Sequence, residues 1–337
     1  MNSKVAYLVA ALLFASCRAD VATDPDRHKL VQTGFRVLYM APIYIAMEKG
    51  FFEKEKIDFS YTEIASGALG VATVISGDAH ISDIDPMDVA RLRDRGQSLT
   101  MFYNIVNRVT MDLVVRNEIL DAAGIHDGSS LEDRYRVLEG LNIGITRPGA
   151  ATDVYARFFL TKAGLDPDRD ANLVQVGGAM GLDAAFRSGR IDAFLLSPPL
   201  PQTLEHDGRG RIIVRNTEGE VPELRDTPLV NFFVTSEFAA ANRKALESYA
   251  RAVSAATGWI RENQEATLLI LLEKYFPDSS PESLQISLEA ILPALNVDGR
   301  YNESEIQRYF EVFEAIGETV ETSTAEGVLW TNDFIQR

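Results

Sequence analysis

Residues 34–52 carry the strongest structural signal in the chain and read GFRVLYMAPIYIAMEKGFF. A short segment before them, Lys29–Thr33, is typical of a strand. Pro42 suits the first turn of a helix, where its missing N–H costs nothing, and Gly50 suits the left-handed position that ends one. The order strand, loop, helix places the loop at the carboxyl end of the first strand. Ligands bind at that edge in open α/β sheets.

The loop between this strand and helix contains Phe35, Arg36 and Tyr39. These side chains can offer a ligand a stacking surface, a positive charge and a hydroxyl group. The alternative is that the two aromatic residues are ordinary core residues. The residues alone leave both interpretations open.

The amino terminus has the features of an export signal. Lys4 precedes the apolar run Val5–Phe14, which is too short to span a bilayer and has the size of a signal-peptide core. The residues that follow, Ala15-Ser16-Cys17, resemble the lipobox of bacterial lipoproteins, although Phe14 replaces the usual leucine. We predict that residues 1–17 are a signal peptide with a lipobox and that Cys17 is lipidated as the mature amino terminus. Plain secretion is the alternative.

Composition limits the possible partners. The net charge of −16 argues against nucleic acid and anionic lipid surfaces as partners. Cys17 is the only cysteine, so an intrachain disulfide is impossible. The four histidines lie far apart in the sequence, without metal-ligand or protease spacing. We therefore predict no metal, no cofactor and no catalytic residue.

Strand-like and helix-like segments alternate along most of the chain, which predicts an α/β fold. After Arg116 the pattern changes to a polar stretch, which we interpret as the crossing into a second domain. The second domain repeats the strand–loop–helix order, and from Ser236 onward the pattern is almost entirely helical. A mature chain of roughly 310–320 residues suits two domains.

Several segments along the mature chain form a characteristic series. They are Ile45–Glu55, Leu141–Ile145 followed by Gly149, Lys162–Asp166, Arg187–Phe194, and then Pro198 or Pro199. In this order and spacing they resemble the periplasmic solute-binding proteins of ABC importers. The likeness is to the branch that also holds binders of hydroxymethylpyrimidine precursors, sulfonates, taurine and nitrate, and it spans nearly the whole mature chain.

The resemblance implies an α/β fold of the periplasmic-binding-protein type II class, in which two Rossmann-like lobes hold the ligand between them. The two strand crossings would lie near Val115–Asn117 and Phe233–Ser236. Lobe 1 would then comprise residues 28–115 and 236–337, and lobe 2 residues 116–235. Helix amino termini would point into the cleft, each contributing about 0.3–1 kcal/mol toward an anionic or polar ligand.

Position in the resembled fold also gives the expected ligand-binding residues. In lobe 1 they are Phe35, Arg36, Tyr39, Ser66, Gly67, Asp83, Asp85, Tyr103 and Asn104. In lobe 2 they are Thr146, Arg147, Gly149, Thr152, Gly178 and Ser197.

The chemistry of these residues indicates a class of ligand without identifying it. Phe35 stands where the pyrimidine-binding branch tends to carry an aromatic residue, which favours a planar ligand. Arg147 is the best clamp for a carboxylate or sulfonate, and its alternative is a solvated loop arginine. Asp83 and Asp85 favour amino or hydroxyl groups and disfavour a purely anionic ligand, although Asp85 also suits a simple helix cap.

Enzyme functions receive less support. The chain has no Gly-x-Gly-x-x-Gly after its first strand, no Gly-x-Ser-x-Gly elbow and no P-loop. A eukaryotic pyrimidine synthase shares the resembled fold, but it depends on a cysteine-rich motif that is missing here. We predict a monomeric, periplasmic or cell-surface binding protein that delivers a small organic solute to an ABC permease. A protein that presents its ligand to a separate sensor is the alternative.

Overall fold

The computed structural model describes residues 27–335, so the predicted signal peptide and Cys17 lie outside the described residues. The strands are β1 His28–Gly34, β2 Ile57–Glu63, β3 Ser82–Ile84, β4 Leu99–Val106, β5 Asp112–Arg116, β6 Asn142–Ile145, β7 Asn172–Gln175, β8 Ala193–Leu196, β9 Gly210–Val214 and β10 Val230–Thr235.

Helices connect most of these strands and form the carboxyl-terminal part of the described chain. They are α1 Ala41–Glu48, α2 Phe51–Lys54, α3 Gly67–Ser76, α4 Pro86–Asp94, α5 Asn117–Ala123, α6 Leu131–Arg136, α7 Ala151–Lys162, α8 Ala179–Arg187, α9 Leu200–His206, α10 Ser236–Ala241, α11 Arg243–Glu262, α12 Gln264–Lys274, α13 Pro281–Ile291 and α14 Glu303–Glu314. Short 3-10 helices occur at Leu38–Met40, Asn216–Glu218, Pro222–Leu224 and Leu292–Ala294.

Two sheets with the same plan organise these elements. In lobe 1, β1 pairs in parallel with β2, and β10 lies antiparallel between β3 and β4. A bridge from Gln32 to Ile81 joins β1 to the segment that enters β3, giving the order β2-β1-β3-β10-β4. In lobe 2 the order is β7-β6-β8-β5-β9, with β5 antiparallel to both of its neighbours. The fold is therefore α/β with two similar lobes, as predicted.

The lobe boundaries differ from the predicted ones by one strand at each crossing. β5 belongs to the lobe 2 sheet, so the first crossing is residues 107–111 rather than Val115–Asn117. β10 belongs to the lobe 1 sheet, so the second crossing is residues 215–229 rather than Phe233–Ser236. The sheet of lobe 2 thus contains β5, which follows the first crossing, and the sheet of lobe 1 contains β10, which follows the second. Each of these strands runs antiparallel to its neighbours.

The two crossings run side by side and are tied together by polar contacts. Asp112, at the start of β5, accepts from the Thr217 backbone N–H at 2.9 Å and from the Gln202 side-chain amide at 2.6 Å. The Asn216 side-chain amide donates to the Met111 carbonyl at 2.6 Å. These bonds connect the first crossing to the second, where the lobes would bend relative to each other.

Local sequence signals explain most helix ends. Gly50 adopts a left-handed φ of 68° after α1, and Pro42 lies in the first turn of that helix. Ser66, Asp85 and Asn302 cap α3, α4 and α14 through their side chains. The ends at Pro42, Gly50 and Asp85 were predicted from the sequence.

Three elements differ from what their own sequences favour, which is a cap at Ser236, one helix over Asn242–Tyr275 and a strand over Ala79–Ser82. Thr235 rather than Ser236 caps α10, because its side chain accepts from the Phe238 N–H. The long helical segment expected from Asn242 to Tyr275 is interrupted at Asn263, between α11 and α12. The strand expected over Ala79–Ser82 is regular only from Ser82 to Ile84.

Aromatic side chains connect the lobe 1 sheet to α11. Tyr249 of α11 lies 5.5 Å from Phe102, 5.7 Å from Phe52 and 5.8 Å from Phe232, measured between ring centroids. The Tyr249 hydroxyl donates to Gln32 at 2.6 Å. Helices that follow the second crossing therefore complete the core of lobe 1.

Candidate ligand-binding cleft

The carboxyl-terminal edges of the two sheets meet where the lobes touch. The Leu38 N–H, from the loop after β1, donates to the Pro198 carbonyl, from the loop after β8, at 3.2 Å. A Cβ placed on Gly178, before α8, would lie 3.6 Å from the Ala65 carbonyl oxygen, before α3. These contacts join loops at the carboxyl ends of strands in both lobes, so the structure shows the lobes closed on each other.

The loop after β1 is held by tyrosines from the surrounding elements. The Phe35 carbonyl accepts from the Tyr44 hydroxyl at 3.1 Å and from the Tyr61 hydroxyl at 2.9 Å. A Cβ placed on Gly67 would lie 3.9 Å from the Phe35 ring, so the first two lobe 1 loops are adjacent. The half-buried Phe35 ring thus lies beside the amino terminus of α3.

Tyr39 and Asp83 form a buried pair next to this loop. The Tyr39 hydroxyl donates to Asp83 Oδ2 at 3.0 Å, and both residues are almost fully buried. Burial raises the pKa of Asp83 to about 7, although the Tyr39 hydrogen bond acts in the opposite direction. Because the hydroxyl already has an acceptor, this placement favours a role in supporting the loop over direct ligand contact.

Two further lobe 1 candidates have local partners. Arg36 forms an exposed ion pair with Glu63 at the end of β2, with Nη2 at 2.6 Å from Oε2. The Ser66 side chain accepts from the Leu69 N–H at 3.3 Å as the cap of α3. The structure therefore assigns Arg36 an acidic partner within its own lobe and Ser66 a capping role.

Asp85 acts as a helix cap and also has a free oxygen. Its Oδ1 accepts from the Met87 N–H at 2.9 Å and from the Tyr309 hydroxyl. Its Oδ2 is buried without a hydrogen-bond partner. Burial and then the charge of Asp88 raise the pKa of Asp85 to about 7. Capping accounts for one oxygen and leaves the other available.

Tyr103 and Asn104 point to opposite faces of β4. The Tyr103 ring stacks on Phe232 at 5.9 Å, and its hydroxyl lies 3.1 Å from Ser254 Oγ in α11. Ligand contact by Tyr103 is not supported, because the ring lies in the lobe 1 core. Asn104 is fully buried, and neither of its amide atoms has a partner.

Two residues that the sequence analysis did not single out share this property. Asn231 of β10 lies directly opposite Asn104, and both of its amide atoms are buried without a partner. The Tyr155 hydroxyl of α7, in lobe 2, is also buried without a partner. The signal for Asn231 was present in the sequence: an asparagine inside the apolar strand PLVNFFV. Tyr155 has no such signal, because it lies on an apolar helix face.

The lobe 2 loop after β6 is held by its own polar side chains. Thr152 Oγ1 accepts from the Thr146 N–H at 2.9 Å and lies 2.9 Å from the Thr146 hydroxyl. The Gly149 N–H donates to Asp153 Oδ2 at 2.7 Å. Side chains from the first turn of α7 therefore hold the preceding loop, with Thr146, Gly149 and Thr152 close together, while the amino terminus of α7 itself has no side-chain cap.

Arg147 forms an ion pair between the lobes, with Asp88, beside a second ion pair within lobe 1, between Arg91 and Glu318. Arg147 Nη2 lies 3.4 Å from Asp88 Oδ2 in α4. Arg91, also in α4, donates to the Gly149 carbonyl at 3.3 Å and pairs with Glu318. Arg147 is partly exposed and already has an acidic partner, which does not favour the predicted role as a clamp for an acidic ligand.

The remaining lobe 2 candidates lie at two other loops. Gly178 precedes α8, whose amino terminus has no side-chain cap, and faces Ala65 of lobe 1. The Ser197 hydroxyl lies 2.7 Å from the Thr110 hydroxyl, which connects the loop after β8 to the first crossing. Gly178 is thus well placed to present backbone N–H groups to the cleft, whereas Ser197 is bonded to the crossing.

The described residues contain neither a cluster of metal-binding side chains nor a membrane-spanning helix. Among residues 27–335, no three His, Cys, Asp or Glu side chains lie together as metal ligands would. Within the same range, no helix combines the length and apolarity needed to cross a bilayer.

Comparisons with known proteins agree with this architecture. A family model described as the NMT1-like family matches residues 25–271. The nitrate/nitrite binding protein NrtA of Synechocystis sp. is 25% identical over 80% of this chain and 60% of its own length. The bicarbonate-binding protein CmpA of Synechococcus elongatus is 28% identical over 54% of this chain and 44% of its own length. The chain thus spans less than two thirds of either relative.

A solved structure gives the same fold. The alkanesulfonate-binding protein SsuA of Xanthomonas axonopodis pv. citri, bound to MOPS, superposes with a TM-score of 0.68 at 14% identity, over 88% of this chain and 96% of its own. This likeness shows the type II periplasmic-binding-protein fold. The named proteins are binding proteins rather than enzymes, in agreement with the predicted absence of catalysis. Because the family model covers well over half of the sequence, the chain belongs to the NMT1-like family.

Proposed function

We propose that this chain is an extracytoplasmic solute-binding protein that encloses a small organic solute between its lobes and delivers it to an ABC permease. The observation that carries the proposal is the closed contact between loops at the carboxyl edges of both sheets, exemplified by Leu38 and Pro198. A ligand that touches both lobes favours the closed state by its differential affinity. The names of the relatives support the general role.

The ligand that we propose is planar and fits beside Phe35. The half-buried ring of Phe35 adjoins the amino terminus of α3, where the helix dipole and free N–H groups favour polar groups on the ligand. We further propose that Cys17 carries the lipid that holds the protein at a bacterial membrane surface. The support for this anchor is the sequence pattern at the amino terminus.

A solute screen with a measurement of lobe closure tests the proposed role. The mature protein would be heated with pyrimidines, flavins, aromatic carboxylates, alkanesulfonates, nitrate and bicarbonate in turn. We expect one class to raise the melting temperature, because a ligand at 100 times its Kd adds about 2.7 kcal/mol to the free energy of unfolding. The same ligand should reduce the radius of gyration in X-ray scattering. Turnover of the bound compound, or binding without any lobe closure, would refute the proposal.

Replacing Arg147 by alanine is expected to weaken binding of that ligand by no more than about fivefold. A partly exposed ion pair such as Arg147–Asp88 contributes about 0.2–1 kcal/mol and is screened by salt. Calorimetry at low and high salt would measure the effect, with exposed Arg190→Ala as the control. A loss of affinity above tenfold that persists when Asp88 is also replaced by alanine would show instead that Arg147 contacts the ligand directly.

A further inference from the structure

Four residues place unpaired polar atoms where the lobes meet, and we call them the unpaired polar cluster: Asp85, Asn104, Tyr155 and Asn231. The unpaired atoms are Asp85 Oδ2, the Tyr155 hydroxyl and both amide atoms of each asparagine, all buried. Native proteins pair nearly all buried polar atoms, because an unpaired one costs about 1–3 kcal/mol. Such a concentration at the predicted ligand edge therefore requires an explanation.

The sheet register makes Asn104 and Asn231 neighbours and places Asp85 just past the end of the adjoining strand. Asn231 lies opposite Asn104 on one side and opposite Ile84 on the other, and Asp85 follows Ile84 directly. All of these positions lie near the carboxyl ends of β3 and β4, at the edge that faces lobe 2. Residues opposite each other in a sheet have their side chains on the same face, so the two amides are neighbours.

Tyr155 approaches the cluster from lobe 2. Its ring packs against Phe313 of α14, with the ring centroids 5.4 Å apart. Burial, and then the negative charge of Asp85, raise the pKa of the Tyr155 phenol well above its usual value. The Phe313 ring also packs against Tyr309, with the ring centroids 4.5 Å apart, and the Tyr309 hydroxyl donates to Asp85 from lobe 1. Groups from both lobes thus converge on Asp85.

The charge around Asp85 is unfavourable for a small anion. Asp88 lies near enough to raise the pKa of Asp85. Arg91 also interacts with Asp85, but its guanidinium is occupied by Glu318 and the Gly149 carbonyl. When Asp85 is ionised, as it mostly is at pH 8, an oxyanion placed here would meet a carboxylate oxygen without a hydrogen to offer it. A group with N–H donors would instead satisfy that oxygen.

We propose that the cleft ligand carries an amino or amidine-type group that donates to Asp85 Oδ2, while Asn104, Asn231 and Tyr155 bind the adjoining polar edge of the ligand. This inference rests on the proposed solute-binding function and specifies its ligand class. It differs from a nitrate-type specificity at Asp85, whose ionised carboxylate is an acceptor where a nitrate ion would require a donor. The asparagine amides and the Tyr155 hydroxyl can both donate and accept, so they suit the polar edge of either kind of ligand.

Matched probes of equal shape and opposite chemistry test this ligand class. Guanidinium and nitrate are both small and trigonal, and benzamidine and benzoate share a ring and a planar head group. We expect the amino-bearing member of at least one pair to bind at least tenfold more tightly, measured by calorimetry at pH 8 and millimolar probe concentration. Asp85→Asn should abolish this preference, because it keeps the capping acceptor of α4 but removes the negative charge.

A second variant separates a ligand-binding role from a structural one. Asn231→Val replaces an unpaired amide by an apolar side chain suited to a strand. We expect the ligand-free melting temperature to stay the same or rise, while binding of the preferred probe weakens at least tenfold. A fall of several degrees with unchanged binding would show that Asn231 is structural. Asp58→Asn, on the exposed part of β2, is the matched control for the Asp85 variant.

The outcomes distinguish this inference from the proposed function. A preference for the anion of each pair, or no binding of either amino-bearing probe, overturns the inference. If some other solute nevertheless binds and closes the lobes, the solute-binding function stands and only the ligand class is wrong. If no solute of any class closes the lobes, the proposed function itself is wrong.

Discussion

Lowering the pH from 8 to 6 is expected to raise the free energy of unfolding of the ligand-free protein by about 3 kcal/mol. Burial raises the pKa values of Asp83, Asp85 and Asp112 to about 7, whereas unfolded aspartate titrates near 3.9. In this pH range the native state therefore binds more protons than the unfolded state, and stability falls as the pH rises. Each carboxyl contributes about 1.4 kcal/mol over the two units, so the three together contribute about 4 kcal/mol before the opposing effect of His80 is subtracted.

His80 opposes this trend slightly. Its pKa is lowered, chiefly by burial, and its Nδ1 accepts from the Val31 N–H at 3.0 Å, which requires the neutral ring. Protonation of the unfolded state near pH 6.5 offsets less than about 1 kcal/mol of the gain. The three buried carboxyl groups therefore set the sign of the pH dependence.

Urea unfolding at several pH values would measure this slope. Asp83→Asn should reduce the rise by about 1 kcal/mol, because it removes one titrating group and keeps an acceptor for the Tyr39 hydroxyl. Exposed Asp58→Asn is the control and should leave the slope unchanged. A flat profile, or greater stability at pH 8 than at pH 6, would contradict the expected protonation of these groups.

The sequence was sufficient for the local structure and insufficient for the sheet partners. The apolar runs in β5 and β10 are typical of strands, but nothing local tells a strand which sheet it will join. Each of them crosses to the other lobe, so both predicted boundaries were displaced by one strand. Caps such as Asp85 were predictable, because a cap depends only on neighbouring residues.

Only part of the candidate site could be predicted from the sequence, for a related reason. Strand position puts Asn104 near the carboxyl end of β4, but Tyr103, one residue earlier, faces the opposite side and joins the core. The ionic partners of Arg36 and Arg147 lie 27 and 59 residues away along the chain. Such pairings depend on how the lobes and loops come together, and no local pattern encodes them.

Replacing Asp112 by alanine is expected to lower the free energy of unfolding by about 2–4 kcal/mol at neutral pH. Its carboxyl group accepts from the Thr217 N–H at 2.9 Å, the Thr217 hydroxyl and the Gln202 amide at 2.6 Å, all in the interior. The alanine variant leaves these donors unsatisfied, and each unpaired buried donor costs about 1–3 kcal/mol. Urea titration would measure the loss, and exposed Asp58→Ala should change stability by less than about 0.5 kcal/mol.

Asp112→Asn separates lost hydrogen bonds from lost charge. The asparagine carbonyl can still accept from Thr217, and Gln202 can turn its unpaired Oε1 toward the new amide, so we expect a loss below about 1 kcal/mol. A loss equal to that of the alanine variant would show that the negative charge itself is required. Because Asp112 joins the first crossing to Thr217 in the second, the alanine variant should also loosen the lobes. A larger ligand-free radius of gyration at unchanged helix content would show that these bonds hold the hinge.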